Sequence, residues 1–155
     1  MTTTAKPPQA PDRPFEILLV EDNPGDVLLT RTALRRASVD GELYAVRDGM
    51  TAIAYLKQEA PYADARRPNL VLLDLNLPGM HGGEVLQAMK ADARLCEIPV
   101  IILSTSGDPK DIANSYKNHA NCYIRKPSEI GAFRDVMRRI DDFWFSTAEL
   151  PEGQP

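Results

Sequence analysis

The segment Leu70-Val71-Leu72-Leu73-Asp74 constrains this chain more than any other. It is an unbroken apolar run that stops at one carboxylate, with the turn signal Pro78-Gly79 close behind. A short run without polar alternation describes a strand buried on both faces, as in a parallel sheet covered by helices on each side. Open parallel sheets carry their ligands at the carboxyl ends of their strands, and Asp74 occupies such an end. The pattern occurs twice, because Ile17-Leu18-Leu19-Val20 runs directly into Glu21-Asp22. If both strands are central, three carboxylates meet in one crevice. A single aspartate at a strand end is more often a helix cap or a turn former. The weight therefore lies on the two strand ends together and on residues further along the chain.

Such convergence is costly. Two unit negative charges ~5 Å apart repel by roughly 3 kcal/mol at an effective dielectric of ~20. Protonation of one member or capture of a hard cation relieves the repulsion. Oxygen ligands with no His or Cys nearby in sequence favour Mg²⁺ over zinc, and a Mg²⁺ held by few carboxylates keeps positions open for phosphate oxygens. These residues suggest a Mg²⁺-dependent phosphate site.

The remaining pattern alternates strands with helices. Strands are predicted over 16–20, 42–46, 70–73, 100–103 and 121–124. A helix follows Asn23-Pro24, with Val27, Leu28, Leu34 and Ala37 on its inward face. A short helix covers 51–57, and 59–68 reads as an irregular loop punctuated by Pro61 and Pro68. Gly82-Gly83 opens a helix with Val85, Leu86 and Met89 inward. Asp108-Pro109, a cap followed by proline at the first helical position, opens one over 110–118. The last helix is predicted to begin near Ser128, with Ile130, Phe133, Met137, Ile140 and Trp144 recurring at helical spacing. The fold class is α/β, a doubly wound five-stranded parallel sheet with right-handed crossovers. The expected organisation is a loosely packed, proline-rich tail over 1–14, one domain over 15–145 and a C-terminal tail over 146–155, too short for a separate output domain.

A formal net charge of −4 argues against nonspecific nucleic-acid binding. No apolar stretch approaches a membrane span, and the N-terminus has no apolar signal region, so the expected location is cytoplasmic. The cysteines Cys96 and Cys122 make no disulfide framework and are expected as buried free thiols in a reducing compartment.

Taken in order, Glu21-Asp22, Asp74, Ser104 and Lys126-Pro127 resemble the receiver domain of two-component response regulators over about residues 15–144. The resemblance implies a flavodoxin-like three-layer sandwich. It implies that Asp74 is the phosphoacceptor, attacking the phosphohistidine of a partner kinase. It implies Mg²⁺ held by Asp22, Asp74, Glu21 and the backbone carbonyl of Asn76, with Lys126 neutralising a phosphoryl oxygen. The family's cis Lys-Pro bond would fall at Lys126-Pro127. Ser104 takes the switch hydroxyl position, Thr105 the neighbouring position that narrows access, and Tyr123 the place of a rotamer switch. For Tyr123, a half-buried strand aromatic is an equal reading.

The stretch 21–26 and the ending Asp142-Phe143-Trp144-Phe145 further resemble stand-alone regulators paired with phytochrome histidine kinases. That likeness implies a sensor kinase as partner, with a bacteriophytochrome as the candidate, and signalling by protein contact. Phe143, Trp144 and Phe145 cannot all face one core from a regular helix, so at least one is expected on an exposed apolar patch unless the chain folds back and buries all three. The resemblance implies signalling through the face of the fourth helix, fifth strand and fifth helix, and a homodimer is expected through that face or the C-terminal segment. His81 is assigned no chemistry, and His119 with Cys122 is too sparse a pair for a metal site. Two other classes compete. One is a pseudo-receiver that binds without being phosphorylated, against which the intact Asp22, Asp74 and Lys126 count. The other is a turnover enzyme on the same fold, which lacks a second catalytic base and a glycine-rich phosphate loop.

Overall fold

The structure, a computed structural model, describes residues 15–35 and 41–151. The predicted tail over 1–14, the position of Ala37 and the last four residues lie outside the described residues.

Five strands alternate with five helices: β1 Phe15–Val20, α1 Pro24–Arg35, β2 Gly41–Val46, α2 Gly49–Leu56, β3 Leu70–Leu73, α3 Gly82–Ala91, β4 Val100–Ser104, α4 Pro109–Lys117, β5 Cys122–Arg125 and α5 Ile130–Ile140. A π-helical turn, Asp141–Phe145, continues α5. All strand pairings are parallel, in the order β2-β1-β3-β4-β5. The order reverses between β1 and β3, which opens a crevice at their carboxyl ends.

The unbroken apolar strands are buried on both faces, as predicted. Leu18, Val20, Val71, Leu73, Val100 and Ile102 pack with Ala52, Leu56, Val85, Leu86 and Met89 from α2 and α3. Their alternate neighbours Ile17, Leu19, Leu70, Leu72, Ile101 and Leu103 pack with Phe133, Met137 and Ile140 from α5. Fully burying one such aliphatic side chain stabilises by about 1.5–3 kcal/mol, so the central strands anchor the fold.

Helix faces differ from the sequence reading in several places. Leu28 is 64% exposed, because the inward stripe of α1 runs through Val27, Thr30 and Leu34, and Thr30 hides its hydroxyl by donating to the Asp26 carbonyl at 2.8 Å. Ile130 is exposed, since the buried stripe of α5 begins at Phe133. The N-cap of α5 is Glu129 rather than Ser128, and it makes no side-chain capping bond. Cys96 is exposed because the turn after α3 points Leu95 inward instead, while Cys122 is half-buried on β5. The π turn swings the terminal aromatics onto the second core, with Phe145 against Phe15 at a centroid distance of 4.6 Å and Trp144 partly buried. Phe143 stays exposed.

Candidate functional site

The site grows out of strand ends. Val20 pairs with Leu73 in adjacent parallel strands, so the next residue of each strand, Glu21 and Asp74, emerges at the same level. Backbone bonds hold both in place: Asp74 N–H donates to Val20 O at 3.0 Å and Glu21 N–H to Val46 O at 3.0 Å. The first turn of α3 packs directly on the Asp74 backbone. A Cβ at Gly82 would overlap the Asp74 carbonyl oxygen and lie 2.7 Å from Leu75 Cα, so only glycine allows this approach. His81, which sequence reasoning left without a task, caps that helix. Its Nδ1 accepts from Gly83 N–H at 3.0 Å, and Glu84 closes a capping box by accepting from His81 N–H at 2.8 Å.

Oxygen atoms of Glu21, Asp22 and Asp74 lie within 4.8 Å of one another. Glu21 and Asp74 are buried, 3% and 7% exposed, whereas Asp22 opens to solvent. The Lys126 ammonium stands among the acids, 2.6 Å from Glu21 Oε2, 2.9 Å from Asp26 Oδ2 and 3.4 Å from Asp74 Oδ2. Burial lowers the ammonium's pKa, but hydrogen bonds to Glu21 and Asp26 and the charges of Glu21 and Asp74 outweigh it, so Lys126 is held charged. Glu21 does not mirror its partner. Burial and the neighbouring Asp74 push its carboxyl up to about 7, against the bonds from Lys126 and Asn23 N–H. Burial is the larger cause for Glu21, and the one ammonium near it is shared among three carboxylates. A residual negative charge stays in the crevice, in reach of solvent through Asp22. The all-oxygen donor set and this uncompensated charge fit a hard divalent cation.

The other predicted residues gather next to this cluster rather than in it. Ser104 ends β4 and is fully buried, and its Oγ accepts from Ser106 N–H at 3.2 Å. Thr105 is exposed at the rim. Tyr123 is half-buried, and its hydroxyl donates to Ser106 O at 2.8 Å, which ties β5 to the loop after β4. The same loop passes so close to Arg125 that a Cβ at Gly107 would come within 2.8 Å of the guanidinium. Asn76 N–H donates to Asp74 Oδ1 at 3.2 Å. The expected cis bond at Lys126-Pro127 is corrected: that peptide is trans, and the cis peptide among the described residues is Ala60-Pro61. Lys126 is aimed into the crevice all the same, by its backbone bond to Ser104 O at 2.6 Å and by its three carboxylate partners.

Asp26 is the neighbour of the cluster that sequence reasoning missed. Its signal was present, an acid in the first turn of a helix that starts at a strand end, but nothing in the sequence connects it with Lys126.

Comparison with known proteins agrees with this geometry. The response regulator receiver domain family matches residues 17–138. The response regulator Rcp1 of Synechocystis sp. is 42% identical over 138 residues, covering 89% of this chain and 94% of that protein. The crystal structure of the phosphorylated cyanobacterial phytochrome response regulator RcpA superposes with a TM-score of 0.88 at 48% identity, covering 90% of this chain and all of that one. The Mn²⁺-bound form of Rcp1 superposes with a TM-score of 0.87 at 42% identity, again covering 90% of this chain and all of that one. With its parallel sheet, its acidic strand ends and a family match that spans most of its length, this chain belongs to the response regulator receiver domain family.

Proposed function

We propose that the chain is switched by transfer of a phosphoryl group from a histidine kinase to Asp74. The observation that carries this reading is the convergence of Glu21, Asp22 and Asp74 within 4.8 Å, with the Lys126 ammonium 3.4 Å from Asp74. An Asp74 carboxylate oxygen attacks phosphorus, and the phosphorus–nitrogen bond breaks as the acyl phosphate forms. The electron pair leaves with the histidine nitrogen, which takes up a proton. Glu21, Asp22, Asp74 and the Asn76 carbonyl would hold Mg²⁺, which supplies positive charge to the transferring oxygens. Phosphoryl transfer needs mostly positioning and charge neutralisation. Lys126 contributes the protein's own cation, a compact point charge suited to one phosphoryl oxygen. Ser104 turns toward the modified Asp74, Tyr123 follows it, Thr105 narrows the entrance, and Pro127 shapes the chain behind Lys126.

On this reading the chain turns over no substrate beyond its own phosphorylation and dephosphorylation, and it acts in the cytoplasm. Relatedness to phytochrome response regulators supports a phytochrome-type kinase as partner. The exposed Phe143 beside Trp144 supports a homodimer through the C-terminal segment or the face of α4, β5 and α5. Sedimentation that shows only monomer at micromolar concentration, with and without a phosphoryl mimic, excludes the dimer.

Incubation with a small phosphodonor and Mg²⁺ tests the central claim. A mass gain of one phosphoryl group that maps to Asp74 and disappears in Asp74→Asn is the expected result. Full labelling of that variant at another residue overturns the assignment, and no labelling of the wild type favours the pseudo-receiver.

A further inference from the structure

The ammonium of Lys126 has three N–H donors, and three carboxylates from three different elements surround it. The contacts to Glu21 and Asp26, at 2.6 and 2.9 Å, are shorter than the contact to Asp74, at 3.4 Å. Asp26 differs from the other two acids in how it is held. Asn23 Oδ1 accepts its N–H at 3.1 Å, and it lies in the first turn of α1, where the helix dipole favours a negative charge. Its side chain is 26% exposed, so water hydrates it from one side. The helix thus fixes Asp26 independently of the strand ends.

We propose that Asp26 is a positioning residue that draws the Lys126 ammonium away from Asp74 while the site is unmodified. In doing so it limits the competition between that ammonium and a divalent cation for the oxygens of Asp74. The inference rests on the cation reading given above. Without the Asp26 charge, the ammonium has one strong acceptor fewer and closes on Asp74, whose oxygens the cation needs. Asp26 therefore acts on cation binding through Lys126, beyond the through-space effect of any nearby acid.

A double-mutant cycle on the full chain separates the two routes, with Mg²⁺ affinity measured by calorimetry for wild type, Asp26→Asn, Lys126→Met and the double variant. Asp26→Asn is expected to weaken Mg²⁺ binding about fivefold or more with Lys126 present, and less than about twofold in the Lys126→Met background. An equal factor in both backgrounds overturns the proposal while leaving the cation reading intact. Absence of Mg²⁺ binding in the wild type overturns the cation reading and the inference with it. If Lys126→Met fails to fold, proton–nitrogen correlation of the lysine ammonium in the metal-free protein decides. The Lys126 signal is expected to shift in Asp26→Asn, and an unchanged signal overturns the contact.

Discussion

Among the described residues, carboxylates are buried in two places, and they behave differently. At the crevice, Glu21 and Asp74 are 3% and 7% exposed and face the Lys126 ammonium. At the junction of α5 with the π turn, Asp141 is 9% exposed, and its Oδ1 meets no hydrogen-bond donor among the described residues. Burial raises the pKa of Glu21 and of Asp141 alike, and each has an acid neighbour that raises it further, Asp74 in one case and Asp142 in the other. Desolvation is thus the shared cost, and the groups standing opposite make the difference. The crevice gathers groups from β1, α1, β3 and β5 around one point, with Asp22 open to solvent. At Asp141 the described charge that acts on it is another acid, Asp142. A buried, perturbed acid is a poor sign of function by itself, and convergence of several elements on it is a better one.

Loss of the Lys126 ammonium carries the largest expected effect. Lys126→Met is expected to destabilise the metal-free protein by about 3–5 kcal/mol, because it strands buried charges that had a partner. Denaturant melts measure this, and millimolar Mg²⁺ should recover much of the loss by binding the folded state. A loss under about 1 kcal/mol would place the crevice in the same class as Asp141.

Next in size is a test of how the backbone presents the acid. Gly82→Ala forces α3 away from the Asp74 carbonyl, with an expected cost of about 1–3 kcal/mol. It should also slow Asp74 labelling by a small phosphodonor, because the strand end and helix can no longer share their present positions. Unchanged stability and labelling would show that the crevice tolerates a displaced helix.

Acidity sharpens the contrast within the crevice. The folded pKa of Glu21, about 7, lies above its unfolded value of 4.5, so folding favours the protonated form. The penalty is absent below pH 4.5, grows as pH rises toward 7 and is complete above it. Metal-free wild type should lose stability across that window relative to Glu21→Gln, in urea melts spanning it from the acid to the neutral side. Parallel curves for the two proteins would remove Glu21 as the cause.

The smallest expected effect is at the other site. Asp141→Asn removes a buried charge with no described partner and should raise stability at neutral pH by about 1 kcal/mol. It should leave Asp74 labelling unchanged. A fall in stability would reveal that Asp141 has a partner after all, and that the two acids are more alike than their surroundings indicate.

Much of the fold and of the site was legible in the sequence. The runs Ile17-Leu18-Leu19-Val20 and Leu70-Val71-Leu72-Leu73 lead to the two-sided parallel sheet, and the acids that stop them lead to the crevice. Both readings are local. A strand buried on both faces needs apolar residues at every position, so its pattern does not depend on its neighbours, and the residue after it necessarily falls at the strand end. Tertiary structure decided the features that depend on rotation and distance. Each helical residue turns about 100° from the last, so the exposure of Leu28 and Ile130 comes from how α1 and α5 lie on the sheet. The exposure of Cys96 depends on one turn after α3, and the packing of Phe145 on Phe15 depends on the π turn. The grip of Asp26 on Lys126 joins residues 100 positions apart. It exists because the strand order carries β5 to one side of the crevice and α1 to the other, and charge attraction acts on distance in space, which no local pattern encodes.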